Sequence, residues 1–357
     1  ATAIVQTNRL MKQMTVQKIA ISNTVGLVIS GAVGIWLAVA GYGAWAIVWQ
    51  TLILSFTKSA FLWATSGWLP RRRFSFSSLK SVFAVGSGVM VSSFLNTVSL
   101  NIYSFIIGAY YNLAKLGCYT QADKWSKMGI MSFSQILTSS FLPVLSGFQD
   151  DKERLLGAMS KMNKFTAYLA FPIMLLLITA SAPVFHILFG TKWDEAIIMF
   201  QILCARGIFV ILTSLYNNYI LAIGRAKALV EYEVVKDVLM VAAIFVTIPM
   251  GVTAMIWGQF VASALFYVYS VVVTARLTGY RAVRIVADIV PYAVPSAVAA
   301  AAAWFAGYAF AGDWLNLSCQ MVVCAVVYYA ANRLRRQSVQ QEVLAYAFGR
   351  FRRKKDC

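Results

Sequence analysis

Ten stretches of this sequence are long and apolar enough to cross a lipid bilayer, and that pattern limits the fold more than any other feature. A spanning helix needs about 20 mostly apolar residues. The stretches fall at 19–40, 44–66, 81–108, 115–144, 165–188, 196–222, 229–249, 252–275, 289–310 and 314–332. A chain that is 60% apolar and 12% charged, with mean hydropathy +0.70, is no ordinary soluble enzyme, disordered chain or nucleic-acid-binding domain. The expected fold class is an all-α polytopic membrane protein with about ten transmembrane helices.

The net charge of +18 is explained by where the bases sit. Tight connections without a base (Gly41-Tyr42-Gly43, Gly251-Val252-Thr253, Gly312-Asp313) alternate with longer basic ones. The segments 1–18, 67–80, 146–164, 224–237, 275–288 and 333–357 hold 25 of the 31 Lys and Arg residues, whereas the opposite side holds only Lys115 and Lys192. Cytoplasmic loops carry the excess of basic residues, so both ends of the chain are expected in the cytoplasm. The longest outer connection is Phe189–Ala196, too short for an outer catalytic domain. The first apolar segment is too long for a signal peptide. The chain opens on Ala1-Thr2-Ala3-Ile4-Val5 without Met, as an internal portion of a protein would. The five cysteines have no framework spacing and there is one histidine, so no metal site and no cofactor is expected. No phosphate-binding glycine loop is present.

Polar residues inside the spans fall on faces. Placed at 100° per residue, Ser92, Asn96, Ser99 and Tyr103 share about 60° of the third span, and Ser93, Thr97, Asn101 and Ser104 continue that arc. Asp123, Lys127, Ser134 and Thr138 share about 60° of the fourth, with Lys124 to one side. Arg206, Thr213 and Asn217 cluster in the sixth, and Thr51, Ser55, Lys58 and Thr65 in the second. Charges in a span are costly unless they face protein or water. Four wet faces therefore imply a cavity, with Lys58, Asn96, Asn101, Asp123, Lys124, Lys127, Arg206 and Asn217 as candidate lining residues. Four bases against one acid make that lumen net positive and suited to a phosphate or pyrophosphate. Plainer readings stand beside these. Hydroxyls in spans often bond their own backbone. Asp123 and Lys127 are spaced as a structural i,i+4 pair, Lys58 and Lys124 are placed to snorkel, and His186 lies at a span end, as a structural residue would. Trp45, Trp49, Trp68, Trp193 and Trp314 suit an aromatic belt. Five prolines in or beside spans permit bends.

Several stretches together resemble polysaccharide flippases of the Wzx type, members of the multidrug/oligosaccharidyl-lipid/polysaccharide exporter superfamily. They are Leu116-Gly117-Cys118-Tyr119-Thr120-Gln121-Ala122-Asp123-Lys124; Leu142-Pro143-Val144-Leu145-Ser146 running into Gln149-Asp150-Asp151-Lys152-Glu153-Arg154; Leu188-Phe189-Gly190-Thr191-Lys192-Trp193; and Ala222-Ile223-Gly224-Arg225 with Glu231 and Lys236 downstream. Trp68-Leu69-Pro70-Arg71-Arg72-Arg73-Phe74-Ser75-Phe76 resembles the basic loop that joins the two lobes of such proteins. The resemblance implies part of a two-lobed fold of twelve to fourteen helices. In that plan 1–67 is the last hairpin of the first lobe, 68–80 the interlobe loop, 81–275 a six-helix second lobe, 276–336 an added C-terminal hairpin and 337–357 a basic cytoplasmic tail. It implies a multi-pass protein of the bacterial cytoplasmic (inner) membrane. Its implied activity is translocation of an undecaprenyl-pyrophosphate-linked oligosaccharide by alternating access, for export of surface polysaccharide. The implied partners are that lipid-linked oligosaccharide, membrane lipids, and the polysaccharide polymerase and glycosyltransferases, with no nucleic acid and no enzymatic activity. A drug or metabolite exporter of the same superfamily, which tends to centre on acidic residues, is the alternative. A membrane enzyme of polysaccharide assembly is the second.

Overall fold

The computed structural model describes residues 3–13, 15–66, 76–148, 151–309 and 312–335, and these form twelve α-helices in chain order. They are α1 (Ile4–Lys12), α2 (Val16–Val39), α3 (Ala44–Ser66), α4 (Phe76–Tyr110), α5 (Leu113–Ser146), α6 (Lys152–Thr179), α7 (Ser181–Phe189), α8 (Asp194–Ala222), α9 (Ala226–Thr247), α10 (Val252–Thr278), α11 (Ala282–Gly307) and α12 (Asp313–Leu334). The protein is an all-α polytopic membrane protein. Residues 68–75 of the expected interlobe loop and the expected tail 337–357 lie outside the described residues; 76–80 belong to α4 rather than to a loop.

Nine of the ten expected spans each coincide with one long helix, but among the described residues seven helices are apolar enough to cross a membrane, where the sequence suggests ten. The three outside that set are α4, α5 and α9. Two of them are heavily charged: α5 carries Asp123, Lys124 and Lys127, and α9 carries Glu231, Glu233, Lys236 and Asp237. The expected span 165–188 also differs. It is divided at Ala180 between α6 and α7. Pro183 has no N–H to offer the Thr179 carbonyl, so the ladder stops there and restarts with Pro183 in the first turn of α7, where it is tolerated.

The helices form two compact units, 1–89 and 90–357, with the boundary inside α4. In the first, α2 and α3 make a hairpin through Gly41 and Gly43, both at positive φ. Gly26, Ser30 and Gly34 recur every fourth residue on the buried face of α2, and a Cβ on Gly34 would lie 3.1 Å from Gln50 Cβ. Small residues at that spacing let two membrane helices approach closely. The helix α1 packs on this hairpin through Leu10, Ile19 and Leu62.

In the second unit, α8 is the central helix. It packs against α5, α6 and α10, while α11 packs on α6 and α12. A Cβ on Gly207 would meet Ile130 Cδ1 at 2.8 Å, so α5 and α8 pack closely there and the Ile130 side chain must shift to admit a methyl. Gly207→Ala is expected to cost about 1–3 kcal/mol through overpacking. Ile130→Ala in the same chain should recover part of the lost thermal stability, measured in detergent.

Proline inside α6 is accommodated by a partner from another helix. Pro172 frees the carbonyl of Tyr168, and the Tyr328 hydroxyl of α12 donates to that oxygen at 2.8 Å. A second polar lock joins the start of α11 to α6. Asp288, 7% exposed, accepts from Ser160 Oγ at 2.7 Å and from the Tyr280 hydroxyl, and pairs with Lys164 Nζ at 3.3 Å. Tyr280 lies in the connection between α10 and α11. Burial first, and then its bond to Asp288, push its hydroxyl from 10.0 up to about 12. Because the folded value is the higher one, this contribution to stability is complete below pH 10 and is lost as pH rises toward 12. Thermal melts should therefore steepen their decline across that window, and Tyr280→Phe should flatten it.

Candidate functional site

A cavity of about 650 Å³ lies in the second unit, where α4, α5, α8, α9 and α10 face one another. Its polar lining follows helical spacing on every element. Tyr119, Asp123 and Lys127 lie one above another on α5, and Arg206 and Thr213 on α8. Glu233, Lys236 and Asp237 face it from α9, Gln259 and Ser263 from α10, and Ser99 and Tyr103 from α4.

These groups fall into two kinds. Some charges neutralise one another: Lys127 Nζ lies 2.6 Å from Asp123 Oδ2 and also donates to the Leu100 carbonyl at 3.2 Å, and Lys236 pairs with Glu233. Others have no ionic partner among the described residues. Arg206 donates from Nη1 to Gln259 Oε1 at 3.1 Å, and Gln259 Nε2 donates to the Tyr119 hydroxyl at 3.1 Å. Gln259 is 2% exposed and so fixes the guanidinium through a neutral, buried relay. The Nε of Arg206, Asp123 Oδ1 and Ser263 Oγ are buried with no hydrogen-bond partner among the described residues. Asp237 accepts from Ser99 Oγ at 3.4 Å. The Tyr103 hydroxyl ties α4 to α9 through the Met240 carbonyl at 3.2 Å. A guanidinium without a carboxylate, at the mid-length of a membrane helix, is equipped to receive an anion.

The candidate residues of the sequence distribute unevenly. Asp123, Lys127 and Arg206 line this cavity. Lys124 is exposed and lies outside the lining. Asn101 is exposed and donates to its own helix at the Thr97 carbonyl, 2.8 Å away. Asn217 lies outside the lining, with a buried Oδ1 that has no partner among the described residues. Asn96 lies on α4 with its side chain outside the described residues. Lys58 lies on α3, in the first unit, half-buried. His186 Nε2 bonds Asp194 Oδ1 at 3.1 Å, with Asp313 Oδ1 3.5 Å from Nδ1, which is the structural role expected of it.

The expected net positive lumen is corrected. Among the described residues the lining holds three bases, Lys127, Arg206 and Lys236, and three acids, Asp123, Glu233 and Asp237. Residues 224–237 count as a basic cytoplasmic segment that overlaps the expected span 229–249, yet α9 begins at Ala226 and places Glu233, Lys236 and Asp237 on the cavity lining. A signal was available: Glu233, Lys236, Asp237 and Met240 recur at helical spacing. Gln259 is an isolated polar group in an apolar run, Tyr119 stands one turn before Asp123, and Ser99 and Tyr103 come from the polar arc of the third span, which the cavity bears out for those two residues.

A family model described as polysaccharide biosynthesis protein matches residues 1–198, more than half of the chain. The chain is similar to the succinoglycan biosynthesis transport protein ExoT of Rhizobium meliloti (strain 1021), at 22% identity over 285 residues, covering 79% of this chain and 56% of that protein. It is 23% identical over 232 residues to the lipopolysaccharide biosynthesis protein WzxC of Escherichia coli (strain K12), covering 63% and 47%. Similarity to the teichuronic acid biosynthesis protein TuaB of Bacillus subtilis (strain 168) is 25% over 183 residues, covering 51% and 38%. The chain thus spans about half the length of these curated relatives. Among solved structures it is similar to the lipid II flippase MurJ in its inward closed conformation, with TM-score 0.69 at 12% identity over 88% of this chain and 65% of that one. That likeness is one of fold.

Proposed function

This chain belongs to the polysaccharide biosynthesis protein family, and on that premise we propose that it carries a lipid-linked oligosaccharide across the bacterial cytoplasmic membrane. The proposed cargo is an undecaprenyl-pyrophosphate-linked oligosaccharide, moved from the cytoplasmic to the outer leaflet by alternating access for surface polysaccharide assembly. Both ends of the chain lie on the cytoplasmic side. Residues 81–275 act as the second lobe, and 276–336 as a hairpin added to it. Polymerase and glycosyltransferases are the functional neighbours.

The observation that carries this reading is Arg206, a cavity-lining guanidinium held by neutral Gln259 and in no ion pair among the described residues. It receives the diphosphate. Asp237, which has only the Ser99 hydroxyl as a described partner, supplies an acceptor for sugar hydroxyls. An exporter of cationic drugs fits less well, because Asp123 and Glu233 are already neutralised by Lys127 and Lys236. In a strain that depends on this protein, deletion of the gene should halt surface polysaccharide while lipid-linked oligosaccharide accumulates. Undiminished surface polysaccharide would overturn the assignment.

A further inference from the structure

The Asp123–Lys127 pair contains an asymmetry that the proposed function does not use. Asp123 is 8% exposed; its Oδ2 meets Lys127 at 2.6 Å, while its Oδ1 is buried with no hydrogen-bond partner among the described residues. Its negative charge is thus held by a single cation. Lys127 is more accessible, with a side chain 31% exposed against 11% for Asp123. The cavity's other ion pair differs, since Glu233 is 46% exposed and stays hydrated if Lys236 leaves it. A carboxylate stripped of its cation in a buried site is costly, and a bound proton removes the charge.

We propose that an anionic headgroup entering the cavity takes Lys127 from Asp123, and that Asp123 then binds one proton from water. This rests on the reading that the cavity accepts a diphosphate. Arg206 offers one positive charge to a diphosphate carrying at least two, and Lys127, two turns from the relay's Tyr119 on α5 and lining the same cavity, supplies a second. The exchange keeps the lysine charged and forms one new O–H bond on Asp123. The other titratable or charged groups facing Asp123 are Tyr119 on α5, Tyr103 on α4, Arg206 on α8, and Glu233, Lys236 and Asp237 on α9; α10 contributes the neutral Gln259 and Ser263. Cavity occupancy is thereby linked to proton uptake, and affinity for the anion falls as pH rises.

The test is calorimetric titration of the intact protein in lipid nanodiscs with inorganic pyrophosphate, in two buffers of different ionisation enthalpy. Wild type should take up about one more proton per pyrophosphate than Asp123→Asn under the same conditions, which cancels the ligand's own titration. Asp123→Asn should also bind more tightly, because its Lys127 is no longer held by a charge. Equal proton uptake by both proteins overturns the exchange while leaving the anion reading intact. Failure of wild type to bind pyrophosphate overturns both. If Asp123→Asn does not fold, infrared difference spectra of wild type decide: a new protonated-carboxyl carbonyl band on adding pyrophosphate supports the exchange, and its absence refutes it.

Discussion

Replacing Arg206 by alanine should abolish export of surface polysaccharide while the protein still inserts and accumulates in the membrane. A half-buried charge pair at 4 Å is worth about 4 kcal/mol at an effective dielectric near 20, which is roughly a thousand-fold in affinity. Arg206 has no carboxylate partner among the described residues, so its removal strands no opposite charge and should spare folding. Arg206→Lys should retain part of the activity, because the charge stays while the link to Gln259 Oε1 is weakened. Normal polysaccharide from Arg206→Ala, with unchanged membrane levels, would remove this residue from the site.

Asp288→Ala should have the largest effect on stability. It removes the acceptor of Ser160 and Tyr280 and leaves Lys164 without its carboxylate at the contact between α6 and α11. Loss of two buried hydrogen bonds and a partly exposed ion pair should cost about 2–4 kcal/mol. The measurement is thermal unfolding in detergent together with membrane abundance. Asp288→Asn, which keeps an acceptor oxygen, should lose less. If Asp288→Ala melts like wild type, the lock contributes little and the α6–α11 contact rests on apolar packing alone.

The helices were legible in the sequence because a bilayer demands apolar length: the sequence suggests ten such segments, and seven of the described helices are apolar enough. The cavity was legible where charges or polar arcs interrupt an apolar run at helical spacing, as Ser99, Tyr103 and Thr213 show beside the charged residues. Asp123 and Lys127 stand one turn apart, and Arg206 is isolated in a strongly apolar helix; all three line the cavity. The α9 charges lie where the basic segment 224–237 overlaps the expected span 229–249, so the bases there count toward topology and Glu233, Lys236 and Asp237 do not stand out as cavity residues. Asn101 shows the limit of a polar arc, since an amide with a carbonyl four residues back can satisfy itself on its own helix. Contacts such as Tyr328 on the carbonyl freed by Pro172, or Gln259 between Arg206 and Tyr119, join residues far apart in the chain and leave no periodic trace.

The central claim is that an anionic headgroup crosses the membrane by way of Arg206. It is tested most directly in proteoliposomes carrying the full-length protein and a fluorescent polyprenyl-pyrophosphate glycan, read by loss of signal to an impermeant quencher. Wild type should equilibrate the probe between leaflets, and Arg206→Gln should remain at the protein-free rate. Equal translocation by the two proteins would contradict the account.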